Sequence, residues 1–191
     1  MKTIYIIHGW DGSPDEPLHK WLKSELEKNG FEVIAPKMPN PDKPIIEEWI
    51  SKLKEVAGST PDRDTILVGH SIGCQTILRY LEGMKTSGFV GGVVFIAPWL
   101  YLENLESEEE RRIAKPWVDT KIHNPNVFKH IPQGKMVSIF SDNDPYVPKG
   151  NRELFEKGFG ARIVVENNKG HFTAEDGVTE LPSALEAIKG F

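Results

Sequence analysis

Thr65-Ile66-Leu67-Val68-Gly69-His70-Ser71-Ile72-Gly73 is the stretch that decides the fold. Residues 65–68 read as a short buried strand, and 72–83 carry helix-like apolar spacing that stops at Gly83. Between them, Ser71 falls on a tight strand-to-helix turn, which holds a serine hydroxyl exposed at the edge of a sheet. Gly69 and Gly73 suit that turn, because side chains there would collide with strand and helix. The five letters from Gly69 to Gly73 are weak alone; the surrounding elements and the residues downstream give them weight.

The same alternation extends in both directions. Short runs rich in Val and Ile at 3–7, 32–35, 92–96, 135–140 and 161–165 read as further strands. Helices are expected near 16–29, 45–56, 150–157 and 181–189. Asn29-Gly30 supplies a stop after the first of these, and Pro44 precedes the second where its missing N–H costs little. Such alternation predicts an α/β fold: one parallel six-stranded sheet of order 2-1-3-4-5-6, flanked by helices. Residues 98–134 break the rhythm. They hold a charged block from Glu106 to Arg112 and prolines at 116, 125 and 132, so an irregular insertion is expected, either a solvated helix plus loop or a small lid.

Composition narrows the possibilities. A chain of 191 residues fits a single domain, 1–191, with one core. A net charge of −5 without any Lys/Arg cluster gives no reason to expect a nucleic-acid partner. Cys74 is the single cysteine, so no intramolecular disulfide can form and a reducing, cytoplasmic setting is expected. The apolar run at 4–7 is too short for a secretory signal, and 93–97 is too short for a membrane span. A soluble protein is therefore expected.

A serine hydroxyl is almost never ionised near neutral pH, so Ser71 needs a base. His171, in Asn167-Asn168-Lys169-Gly170-His171-Phe172, lies in a polar loop after the last strand, at the sheet end where open α/β sheets keep their sites. His8 and His70 flank motif glycines and suit packing, His19 falls on the first helix, and His123 and His130 fall in the insertion. Asp144 opens Asp-Pro-Tyr-Val-Pro after the fifth strand and is the preferred orienting acid; Asp142, two residues earlier, competes with it. A plain turn would also read Asp-Asn-Asp-Pro. An oxyanion site needs two backbone N–H groups, for which the amides of Ile72 and Trp10 are candidates. The loop His8-Gly9-Trp10-Asp11-Gly12 lacks the phosphate-binding glycine patterns. Cys74 suits a buried core thiol. With nothing like H-E-x-x-H, neither a metal nor a cofactor is expected.

Taken together, His8-Gly9-Trp10, Gly69-His70-Ser71-Ile72-Gly73, Asp144-Pro145-Tyr146-Val147-Pro148 and Gly170-His171-Phe172 resemble the small serine hydrolases similar to retinoblastoma-binding protein 9. These motifs span nearly the whole chain. The resemblance implies a compact α/β-hydrolase fold, a Ser71–Asp144–His171 site, and hydrolysis of ester or amide bonds. Eukaryotic relatives are named for a protein partner; no binding segment of that kind is evident, so no protein partner is carried over. The expected activity is a serine hydrolase acting on a small-molecule acyl substrate, carboxylic esters foremost. An amidase or aminopeptidase would use the same site, and a binding module on a hydrolase scaffold is the alternative from another class. Trp10, Trp99, Trp117, Tyr146 and Phe172 are candidates for an apolar acyl pocket and equally for the core.

Overall fold

Strand β3 (Thr65–His70) is buried along its whole length and stands third in a six-stranded sheet. The computed structural model describes residues 1–85 and 88–191. On one side of β3 lie β1 (Thr3–Ile7) and then the edge strand β2 (Glu32–Ile34). On the other follow β4 (Gly92–Ile96), β5 (Met136–Ser141) and β6 (Arg162–Glu166). Every pairing is parallel, and the order β2-β1-β3-β4-β5-β6 is the one the sequence pattern predicts. β3 runs two residues past the expected end, because Gly69 and His70 still pair with Phe95 and Ile96 of β4. That extension carries the chain straight into the Ser71 turn.

The connections hold α1 (Pro17–Lys28), α2 (Ile46–Ala57) and α3 (Ile72–Glu82). Then α4 (Glu108–Asp119) and α5 (Asn124–Phe128) share one crossover, α6 (Gly150–Phe159) joins β5 to β6, and α7 (Pro182–Lys189) closes the chain. Helix α3 is buried from Ile72 through Leu81, as a helix that is covered all round must be. It follows the central strand, so the core fixes both flanks of the Ser71 turn. Among the described residues, no helix is long and apolar enough to cross a membrane.

The insertion at 98–134 is more regular than its charge and prolines suggest. Ser107 and Glu110 form a reciprocal capping box at the start of α4, satisfying two N–H groups that a helix otherwise leaves open. Pairs of Arg111 with Glu108 and of Lys115 with Asp119 lie along its exposed face. Ala114 and Trp117, three apart, turn inward. Trp117 packs edge-on against Trp49 at 6.2 Å and donates its indole N–H to Pro44 O at 3.0 Å. Arg79 of α3 donates to the carbonyls of Trp117 and Thr120, both at 2.8 Å, which anchors the end of α4 to the core.

Candidate active site

Ser71 sits at φ 52°, ψ −117°, a backbone conformation that an L-residue adopts only at a cost of about 1–3 kcal/mol. The turn is held from both sides: Ser71 N donates to Ile96 O and Cys74 N to Ser71 O, each at 2.9 Å. Gly73 is there for room, since a Cβ would lie 2.3 Å from Ile7 O; one at Gly69 would lie 2.7 Å from Cys74 N. Strand β1, β3 and α3 thus cross too closely for any side chain at these two positions. Cys74 is fully buried, and burial pushes its thiol well above the ordinary range, in keeping with a core role.

His171 reaches this serine from the loop after β6. Its Nε2 lies 2.8 Å from Ser71 Oγ, and its Nδ1 lies 2.8 Å from Asp144 Oδ2. The other oxygen of Asp144 accepts the N–H groups of Tyr146 and Val147 at 2.9 and 3.0 Å, which fixes the carboxylate plane. Asp142 is elsewhere: its Oδ1 accepts Asn168 N at 2.8 Å. Ser141 Oγ accepts Lys169 N at 3.0 Å and Asn143 Oδ1 accepts Gly170 N at 2.9 Å. The end of β5 therefore grips three successive amides of the loop that carries His171.

Two further contacts hold the histidine backbone, and no motif in the sequence announces either. Asp176 Oδ2 accepts His171 N at 2.8 Å, Thr173 N at 3.1 Å and the Thr173 hydroxyl at 2.8 Å. From the other side, His70 Nε2 lies 2.8 Å from His171 O; a carbonyl only accepts, so Nε2 carries the proton. Burial pushes the His70 pKa well below the usual histidine range, with the nearby imidazoles of His171 and His19 adding to the effect. His70 is thus a neutral brace between the serine turn and the histidine loop. His8, also lowered by burial, braces the β1–α1 loop: its ring lies 2.8 Å from Gly9 O and accepts Met38 N at 3.0 Å.

The Ile72 amide opens α3, where no intrahelical acceptor exists for it. Trp10 follows Gly9, whose Cβ, if present, would stand 3.5 Å from Ser71 Cβ, so that loop passes directly over the serine. The Trp10 indole is tied away from the turn, donating to Asp42 O at 2.9 Å. Trp99, three residues beyond β4, donates its indole N–H toward Ser71 Oγ at 3.3 Å.

In front of Ser71 and His171 opens a cavity of about 660 Å³. Trp10, Trp99 and Tyr146 line it, joined by Leu105 and Ile113 from the insertion. Two of the aromatic candidates are not there. Trp117 faces Trp49 and Phe172 packs into the core; neither borders the cavity, whereas Trp99, equally buried, does. At the mouth, Lys43 and Glu109 of α4 form an exposed ion pair at 3.0 Å. Glu16, His19 and His70 come together beside the cavity as a group able to hold a cation.

Comparison with known proteins agrees with this architecture. A family model described as serine hydrolase matches residues 4–189. YdeN of Bacillus subtilis (strain 168) is 26% identical over 190 residues, covering 100% of this chain and 96% of that protein. Serine hydrolase RBBP9 of Rattus norvegicus is 25% identical, covering 95% and 86%. The crystal structure of the B. subtilis ydeN gene product superposes with a TM-score of 0.88 at 25% identity, covering 100% of this chain and 98% of that one. The alpha/beta-superfamily protein XCC1541 of Xanthomonas campestris pv. campestris shares the fold at a TM-score of 0.67 and 12% identity, over the whole of both chains.

Proposed function

The chain belongs to the serine hydrolase family, and from that premise we propose that it cleaves carboxylic esters through an acyl-enzyme formed on Ser71. One observation carries the reading: an unbroken hydrogen-bonded line from Asp144 through His171 to Ser71, 2.8 Å at each step. His171 Nε2 takes the hydroxyl proton as Ser71 Oγ attacks the acyl carbonyl. Asp144 keeps the Nδ1–H tautomer and stabilises the imidazolium that forms. The amides of Ile72 and Trp10 receive the oxyanion. Trp99 steadies Oγ with its indole N–H. The leaving alkoxide departs with the proton from His171, and a water, deprotonated by the same imidazole, releases the acid.

Esters are favoured because their leaving group demands least protonation. An aromatic-lined cavity of about 660 Å³ has room for a small or medium acyl group. A single buried cysteine fits a reducing, cytoplasmic setting.

A fluorophosphonate probe tests the nucleophile: it should label the wild type and fail on Ser71→Ala. Persistent labelling of that variant would move the nucleophile elsewhere. A panel of short-chain p-nitrophenyl esters tests the substrate class, and a folded protein that labels but turns over none of them would overturn the ester assignment.

A further inference from the structure

Three side chains that take no part in proton transfer converge beside the Ser71–His171–Asp144 line, His70 among them as the brace of the His171 carbonyl. Glu16 stands at the N-cap position of α1, without a side-chain capping bond, and His19 stands one turn later, so the two share a helix face. His70 ends β3. One ligand atom from each lies within 4.8 Å of the others.

The hydrogen bonds of the two rings fix their tautomers. His19 Nδ1 lies 3.0 Å from Ser13 O, so Nδ1 carries the proton and Nε2 a lone pair. His70 donates from Nε2 to His171 O, so its Nδ1 carries a lone pair. Neither lone pair has a hydrogen-bond partner among the described residues, and the residues are only 1% and 4% exposed. Burial lowers the pKa of both, which keeps both rings neutral. A ring N–H tied to a backbone carbonyl, with the opposite nitrogen left bare, is how metal-ligating histidines are oriented.

The β1–α1 loop packs closely over these groups; Glu16 Oε1 accepts Ser13 N at 3.0 Å, while Oε2 lies 3.6 Å from His19 Nδ1. A Cβ at Gly9 would stand 3.2 Å from His70 Nδ1, and one at Gly12 would stand 2.5 Å from Glu16 Oε1. His130 offers a contrast. Its Nδ1 is tied to Gly88 O and its Nε2 is likewise without a partner, yet it joins no cluster of ligands among the described residues.

We propose that Glu16, His19 and His70 form a binding site for a divalent cation of the zinc class, beneath the β1–α1 loop and beside the Ser71 site. Two neutral imidazoles and one carboxylate are a donor set that such an ion accepts, at about 2.0–2.2 Å per bond. Drawing the ligands to that distance falls mainly to Glu16, the most exposed of the three, with a side chain 29% accessible. Glu16 and His70 also border the cavity. A bound ion would join α1 to β3 and, through the His70 ring, steady the carbonyl of His171.

Titration of chelator-stripped protein with Co²⁺, followed by visible absorption and by displacement with Zn²⁺, tests this without measuring activity. One equivalent should bind to wild type, to His171→Ala and to the surface control His123→Ala. Affinity should fall by at least about 100-fold in His19→Ala and in Glu16→Gln, since even outer-sphere changes cost up to that much. Glu16→Gln serves the same purpose should His19→Ala fail to fold. The proposal is overturned if wild type binds no ion below millimolar concentration, in which case a buried water satisfies the two lone pairs. It is equally overturned if His171→Ala abolishes binding while His19→Ala retains it, because the ion would then sit at Ser71.

Discussion

The serine turn and the histidine loop meet at two hydrogen bonds, Ser71 Oγ with His171 Nε2 and His70 Nε2 with His171 O, but are held by opposite means. Ser71 stands between a buried strand and a buried helix, and its strained φ of 52° is imposed by packing. His171 stands in a partly exposed loop fixed by oxygen acceptors from Ser141, Asp142, Asn143 and Asp176. Damage to the first region should therefore appear as lost stability. Damage to the second should appear as lost turnover in a folded protein.

Asp144→Asn is the severest way to break that distinction. The amide cannot hold the same imidazole tautomer, so kcat for an ester should fall by roughly 10³–10⁴-fold. The melting temperature should barely move, and Asp142→Asn should lose far less activity. Equal losses for the two variants would show that the acid assignment is wrong.

Gly73→Ala probes the other side. Its methyl would meet Ile7 O at 2.3 Å, backbone that cannot swing away. Overpacking of this kind costs about 1–3 kcal/mol, and denaturant unfolding should report it at the upper end. An unchanged midpoint would mean that β1 and α3 separate easily, contrary to a packed turn.

Asp176→Ala removes three hydrogen bonds from the histidine loop and leaves the core untouched. A misplacement of the base by about 1 Å costs up to roughly 100-fold, so kcat should drop by about 10- to 100-fold with KM little changed. A matching fall in melting temperature with intact kcat would place Asp176 among purely structural residues.

Acid should expose the brace that joins the two regions. His70, His19 and His8 all have pKa values lowered by burial in the folded state. Below the unfolded value of about 6.5 the unfolded chain binds protons that the native rings refuse, so stability falls as pH drops. Each ring contributes at most about 1.4 kcal/mol per pH unit, until its own folded pKa is reached. Urea midpoints of metal-free protein between pH 7 and 5 measure the slope, and a flat profile would mean that these rings are protonated in the fold. The smallest effect on the serine's reactivity belongs to Trp99→Phe, which removes the indole N–H at 3.3 Å together with part of the bicyclic ring. A loss of up to about 10-fold in the rate of phosphonylation is expected, the size of one neutral hydrogen bond.

The two regions also differed in how far the sequence revealed them. The serine turn was legible because strand, glycines and helix are contiguous from 65 to 83, and local sterics dictate their order. Asp144 and His171 were legible as candidates through short motifs. Their supports were not: Asp176 and Asn143 resemble ordinary loop polar residues until the chain folds back on itself. Helix α4 was legible only as one of two readings, a solvated helix or a lid, although Ser107 and Glu110 spelled a capping box that reads as a helix start.

Sequence alone determined the alternation of strand and helix and the parallel order of the sheet, and it marked Ser71, Asp144 and His171 as candidates. Those depend on hydrophobic period, turn chemistry and chain order, all of which are one-dimensional. Tertiary structure alone decided that Trp99 faces the cavity while Trp117 faces Trp49. It also decided that Asp142 holds the loop while Asp144 meets the imidazole, and that His19 lies against His70. An aromatic ring gains from burial in a core or a pocket alike, and a carboxylate accepts whichever N–H is brought to it, so only the three-dimensional path of the chain selects the neighbour.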